Sequence, residues 1–259
     1  LTINDFAKNI LAEKISKTEN KVVITGNGAD ELFSGFFHHH LQYLIDIRNL
    51  KKKNLYKNYY NQWEKNVLPQ IRNKTFRNLK EFELKKTKYI FDEYLNLNNL
   101  FIKPYKPRLK YKRYHKSLLK NAMMHETFSL HVPLYNKSDD INFMQFSLEN
   151  RSPYLCRNLH ELLQKIPVKF FLHNGYTKYI LRKILNGKLP NKIVWDPIKK
   201  GFNFSIFKLL KFNSKIFINF VNKKSYIYKI ISKKQFKKYL FKLKDGTTEV
   251  DSKFLFRFM

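Results

Sequence analysis

The chain predicts an α/β fold in which one short strand opens into a region that is predominantly α-helical. Three observations carry this expectation. Val22, Val23 and Ile24 form an apolar, β-branched run, the composition of a strand covered on both faces. Upstream, Ile3, Phe6, Ala7, Ile10, Leu11 and Ile15 recur at helical spacing with Lys and Glu between them. Downstream, helical periods dominate and no comparably clear strand follows for roughly a hundred residues.

Taken in order, residues 1–45 read as an αβ edge and 46–259 as a mostly helical region. A helix over the first segment and a polar turn at Thr18–Asn20 lead into a strand at 21–25. Gly26 and Gly28 then supply positive φ and leave no side chain in the way of a ligand. Asp30 and Glu31 begin a helix that runs to about Asn49, at its positive end. A lone strand cannot make a sheet, so its partners are expected upstream of Leu1. The stretch 51–115 interleaves Lys, Asn, Tyr and Phe and reads as amphipathic helices with snorkelling lysines. Pro104 and Pro107 mark a loop, and a helical run covers about 112–130. Pro153 stops a helix within "ENRSPYL", and further helices are expected at Asn158–Ile166 and Thr177–Leu185. The tail from about 205 is Phe- and Lys-rich and helical by period.

The 259 residues hold 51 Lys+Arg against 20 Asp+Glu, a formal net charge of +31. That balance raises nucleic acid as a partner. The abundance of Lys, Asn, Ile, Phe and Tyr, with 7 Gly and 8 Pro, is equally what an AT-rich coding sequence produces, and the basic residues form no single stripe. Nucleic-acid binding is therefore the less favoured expectation. Cys156, the one cysteine, excludes an internal disulfide and suits a reducing, cytoplasmic setting. No apolar run is long enough to span a bilayer. His38, His39 and His40 suggest a metal cluster. Consecutive helical residues point in different directions, however, and the three read as helix surface and boundary residues.

Four segments, in order, carry a resemblance. "VVITGNGADELFSGF" is similar to the "SGxGADElfGGY" segment of the asparagine synthetase synthase domain, and "DDINFMQFSLENRSPYL" to its "eDrxSMaxslExRxPfLD". "GYTKYILRKILNGKLP" resembles "KxiLRxaxxgxLP", and "KKGFNFSI" resembles "KxGFxxPi". The fold implied is the ATP-pyrophosphatase (PP-loop) fold, shared with β-lactam and carbapenam synthetases and truncated here at its N-terminus. The activity implied is adenylation of a carboxylate by ATP with Mg²⁺, followed by attack of an amine on the acyl-adenylate.

The resemblance also assigns expected roles. Thr25 and Gly26 match positions that contact the AMP moiety, and Asp30 matches a Mg²⁺-binding aspartate. Lys199 matches the lysine of "KxGF", which stabilises charge growing at phosphoryl and tetrahedral centres. Lys178 matches a pyrophosphate-contacting lysine, one turn before Arg182. Glu149 matches a glutamate that pairs with a tyrosine as a base in the β-lactam-forming branch. Plainer readings stand beside these: a helix-start carboxylate for Asp30, solvated charges for the lysines, an ion pair with Arg151 for Glu149.

Departures from the pattern bear on the substrate. Asn27 occupies a catalytic position that is Glu or Asp in asparagine synthetases and Tyr in the β-lactam branch; an amide can hydrogen-bond a substrate but cannot act as a base. Cys156 stands where "PfLD" has its aspartate, and Pro197 replaces an arginine near the "KxGF" lysine. No "SGGxDSS" loop and no N-terminal catalytic cysteine are present, so a PP-loop and an ammonia-supplying glutaminase domain are expected upstream, and the chain by itself is expected to be inactive in amide formation. The expected substrate is aspartate by default. A sugar or peptide carboxylate, or a non-catalytic relative holding RNA or another polyanion, is the alternative.

Overall fold

The computed structural model describes residues 3–85, 97–103, 111–201, 215–242 and 254–255. Helices follow one another along the chain: α1 (Ile3–Ser16), α2 (Ala29–Phe33), α3 (Phe37–Asn49), α4 (Lys53–Asn66) and α5 (Leu79–Lys85). After them come α6 (Leu118–His125), α7 (Val132–Met144), α8 (Arg157–Lys165), α9 (Tyr179–Leu185), α10 (Asn191–Val194), α11 (Lys215–Asn222) and α12 (Lys233–Lys242). Two strands, β1 (Val22–Ile24) and β2 (Glu149–Arg151), pair in parallel with Val22 opposite Glu149 and Ile24 opposite Arg151. The expected loop around Pro104 and Pro107 and the tail at 205–214 lie outside the described residues.

The chain divides into two compact units. The smaller comprises Leu1–Leu11, Thr87–Lys110 and Phe202–Met259. Its core gathers Leu97, Leu100, Phe217, Val221, Ile231, Phe236 and Leu255, with Phe101 bridged antiparallel to Ile231. The larger comprises Ala12–Lys86 and Tyr111–Gly201 and contains every candidate site residue.

Within the larger unit, β1 finds its described partner downstream in β2, where the sequence points to one upstream. Glu-Asn-Arg has poor strand propensity, and the residues before Pro153 read instead as a helix end. Pairing makes the strand: the Glu149 amide donates to the Lys21 carbonyl (2.8 Å) and the Thr25 amide to the Arg151 carbonyl (2.9 Å). The expectation that β1 is covered on both faces is also corrected. Ile24 is 73% exposed and Val22 40%, whereas Val23 packs with Ala12, Ile15, Phe143, Phe146 and Leu148. One face of the pair rests on α1 and α7, and the other is open.

The expected helix from Asp30 to Asn49 is broken into α2 and α3 at Ser34–Phe36. Ser34 takes the left-handed region (φ 64°), and Gly35 follows so closely against the Asp30 carboxylate that a Cβ there would collide with it. Gly28 caps α2 with φ 88°; Gly26 needs no positive φ. Farther on, Asp46 of α3 accepts from Ser117 Oγ (2.6 Å) and from the amides of Leu118 (2.8 Å) and Leu119 (3.2 Å). A carboxylate thus satisfies the orphan donors of α6 and ties its positive end to α3. The run expected at 112–130 is α6 followed by a π-helical turn, Glu126–Leu130. The helices expected at Asn158–Ile166 and Thr177–Leu185 are α8 and α9, each displaced by a residue or two.

Candidate active site at the end of the first strand

The turn after β1 carries Thr25 to Asp30, and the chain returns to it twice. Lys178, which precedes α9, sits at φ 54°, in the left-handed region that a non-glycine residue adopts only when its surroundings hold it there. Its Nζ lies 2.5 Å from Asp30 Oδ1. Lys199, from the segment after α10, donates to Asp30 Oδ2 (3.2 Å) and to the Gly35 carbonyl (2.9 Å). The same ammonium stands 4.4 Å from the centre of the Phe36 ring, a cation–π contact. Burial pushes the Asp30 carboxyl up, but Lys199 and Lys178 together outweigh it and hold the group below its usual range. All three side chains keep between 28% and 33% of their surface exposed. They are reachable from solvent.

Beside this trio, Thr25 Oγ1 shares a hydrogen bond with Ser152 Oγ (2.9 Å), joining the ends of β1 and β2. A Cβ added to Gly26 would meet nothing within 4 Å, so the strand end faces open space. Asn27 Nδ2 donates to Asp139 Oδ2 (2.6 Å), and Asn150 Nδ2 lies 3.4 Å from the same oxygen. Asp139, 1% exposed, accepts from both amides. It therefore fixes the Asn27 amide with nitrogen inward and carbonyl oxygen outward. An acid at this position would face a buried carboxylate. The amide is the side chain that this pocket accepts.

The structure brings Asp30, Lys178 and Lys199 into direct contact, with Thr25, Gly26 and Asn27 on the adjoining turn. Glu149 is placed differently: Arg151 holds it through Nε (2.9 Å) and Nη2 (3.3 Å) on the open face of the strand pair. That hydrogen-bonded ion pair lowers the Glu149 carboxyl below its ordinary value. Arg182, one turn after Lys178, donates to the carbonyls of Thr177 (2.8 Å), Val194 and Asp196 (3.1 Å). Asp139, Ser152 and Gly35 were not legible as site residues. Nothing in the sequence sets Asp139 apart from its neighbour Asp140, which is exposed.

The histidines require a correction. His38, His39 and His40 are buried, not surface residues. His38 Nε2 and His39 Nε2 lie 2.5 and 2.7 Å from the two oxygens of Glu126. Neighbouring side chains on a helix diverge, and a carboxylate placed in the angle between them offers one oxygen to each. His40 Nδ1 meets Tyr59 Oη instead (2.7 Å). Burial lowers His38 to about 4 and His40 to about 3. Burial also pushes the Glu126 carboxyl up, but His39 and His38 outweigh this and hold it well below the usual range.

The asparagine synthase family model matches residues 4–248. The chain belongs to the asparagine synthase family. Neither a curated protein nor a solved structure gave a match. The family's domain is of the PP-loop ATP-pyrophosphatase type, and its members carry out ATP-dependent amidation of a carboxylate. Among the described residues, no helix is long and apolar enough to cross a membrane.

The donor set at the strand end fits the groups this family employs. Two ammonium groups converging from separate segments suit a polyphosphate, open space at Gly26 suits close approach of a nucleotide, and the Asp30 carboxylate offers hard oxygen to Mg²⁺.

Proposed function

We propose that this asparagine synthase family chain amidates a carboxylate through an acyl-adenylate, at the carboxyl end of β1. The observation that carries the reading is the convergence of Lys178 and Lys199 on Asp30, across 148 and 169 positions of sequence. The substrate carboxylate attacks the α-phosphorus of ATP, pyrophosphate leaves, and an amine then displaces AMP from the acyl carbon. Mg²⁺ held by Asp30 would neutralise phosphate oxygens.

The chain's own groups do the rest. The two lysines neutralise Asp30; a phosphate chain offers them stronger, multiply charged partners. Lys178 holds the leaving pyrophosphate. Lys199, braced by the Gly35 carbonyl and the Phe36 ring, keeps a cation where charge accumulates on phosphoryl oxygens. Thr25 and Gly26 receive the AMP moiety, Gly26 by leaving backbone exposed. Asn27, oriented by Asp139, turns its carbonyl oxygen outward to accept from an amine, a positioning role that needs no proton transfer. Glu149, in its ion pair with Arg151, is assigned no chemistry in this scheme.

Lys199→Ala, made in the full-length protein, tests the reading. Loss of one preorganised group facing transition-state charge should slow carboxylate-dependent ATP–pyrophosphate exchange by about 10² to 10³. Circular dichroism should be unchanged, because the ammonium is partly exposed. Exchange at the wild-type rate would remove Lys199 from the mechanism. Absence of exchange in both proteins, with tight salt-dependent RNA binding, would replace the ligase with a polyanion-binding relative. Running exchange with aspartate, a sugar acid and a peptide carboxylate identifies the acceptor class.

A further inference from the structure

We propose that His38, His39 and Glu126 form a buried site for one divalent transition-metal cation of the Zn²⁺ type, separate from the Asp30 centre. Their exposures are 7%, 0% and 3%, and one ligand atom from each lies within 4.8 Å of the others. Two imidazoles and a carboxylate are the donor set of three-ligand zinc sites, and imidazole nitrogen disfavours Mg²⁺ and Ca²⁺. With bonds of about 2.0–2.1 Å, tetrahedral ligands stand about 3.4 Å apart, so the widest separation closes on a cation by about 1.4 Å.

Charge and backbone point the same way. Glu31, 2% exposed, lies 3.6 Å from His131 Nδ1, and neither of those two facing atoms makes a hydrogen bond. The Phe36 ring packs on His38, His39 and His131, at centroid distances of 5.4, 5.3 and 4.9 Å. Two buried carboxylates thus face the three imidazoles that pack on one ring, and a divalent cation at Glu126 balances negative charge there. Glu126 opens the π-helical turn, a distortion frequent at functional sites.

On binding, the cation takes the place of the protons between the carboxylate and the imidazoles. Each Nε2 lone pair and one Glu126 oxygen bond to it. Each displaced proton passes to Nδ1 of its own ring, so no imidazolate forms and the carboxylate keeps its charge. His39 Nδ1 gives up its long contact with the Phe36 amide (3.4 Å) in the exchange. The bound cation ties the start of α3 to the Glu126 turn, and so steadies the Phe36 ring on which Lys199 rests.

The test is a Co²⁺ titration of the EDTA-treated chain, followed by visible absorbance and repeated on Glu126→Gln, His39→Gln and Asp30→Asn. Expected are ligand-field bands that saturate at one equivalent, survive excess Mg²⁺ and vanish on adding Zn²⁺. Glu126→Gln and His39→Gln should weaken binding at least about tenfold, while Asp30→Asn should not change it. Should the buried variants fail to fold, thermal melting of the wild type decides: Zn²⁺ must raise its melting temperature. A folded wild type that takes up no Co²⁺, a melting temperature indifferent to Zn²⁺, or titrations unaltered in folded Glu126→Gln and His39→Gln would overturn the site. None of these readouts involves ATP, so failure here leaves the ligase reading intact, and failure of that reading leaves this one.

Discussion

The chain builds two charged clusters within ten residues of each other, around Asp30 and around His38 and His39, and treats them in opposite ways. At Asp30, a carboxylate and two lysines keep roughly a third of their surface in water. At Glu126, a carboxylate and two imidazoles are almost wholly enclosed. Phe36 stands between them, with Lys199 over its ring and imidazoles packed against it. An exposed ion pair is weak and can exchange its partners for a ligand's phosphates. A buried one cannot release either partner without stranding a charge. Exposure, more than the residue types, separates a cluster able to exchange its partners for a ligand from one that holds structure.

This contrast is open to breakage. The largest effect is expected at the enclosed cluster: His39→Ala should cost about 3–5 kcal/mol in urea denaturation, because it strands the buried Glu126 carboxylate. A loss near that of a surface pair would mean the enclosure is not what gives the cluster its weight. Next comes Gly35→Ala, whose Cβ must displace the Asp30 carboxylate. About 1–3 kcal/mol is expected, together with slower pyrophosphate exchange, and unchanged stability and exchange would show that Asp30 has room to move.

The smallest effect belongs to the exposed cluster. Asp30→Asn should cost about 0.2–1 kcal/mol at neutral pH, the range for exposed pairs. Its pH dependence has a definite sign. The lysines depress the folded-state pKa of Asp30 below its ordinary 3.8, so the contribution is present above that value and fades as pH falls through the folded value. Denaturation midpoints of wild type and Asp30→Asn should therefore converge in acid. A gap that persists there would assign the stabilisation to something other than charge.

Some of this was legible in residue order alone. The apolar run at Val22–Ile24, the glycines and acid that follow, and the later lysines identify a strand–turn–helix and the family that uses it, because local sequence dictates local backbone and motif. Contact across distance was not legible. β2 is a strand only because β1 lies beside it, since Glu-Asn-Arg has no such preference of its own. Ser34 and Gly35 break the expected helix so that Asp30 can fold back over the turn.

By itself, then, the sequence determined the αβ edge, the helical remainder, the family and the membership of Asp30, Lys178 and Lys199 in one motif set. Only the tertiary structure decided that Glu149 pairs with Arg151, that Asp139 accepts from Asn27, and that three consecutive histidines are core residues. The physical reason is the same in each case. A side chain's charge and reach are written in its residue type, but its exposure and its partner depend on which distant segment folds against it, and those two quantities set what the group can do.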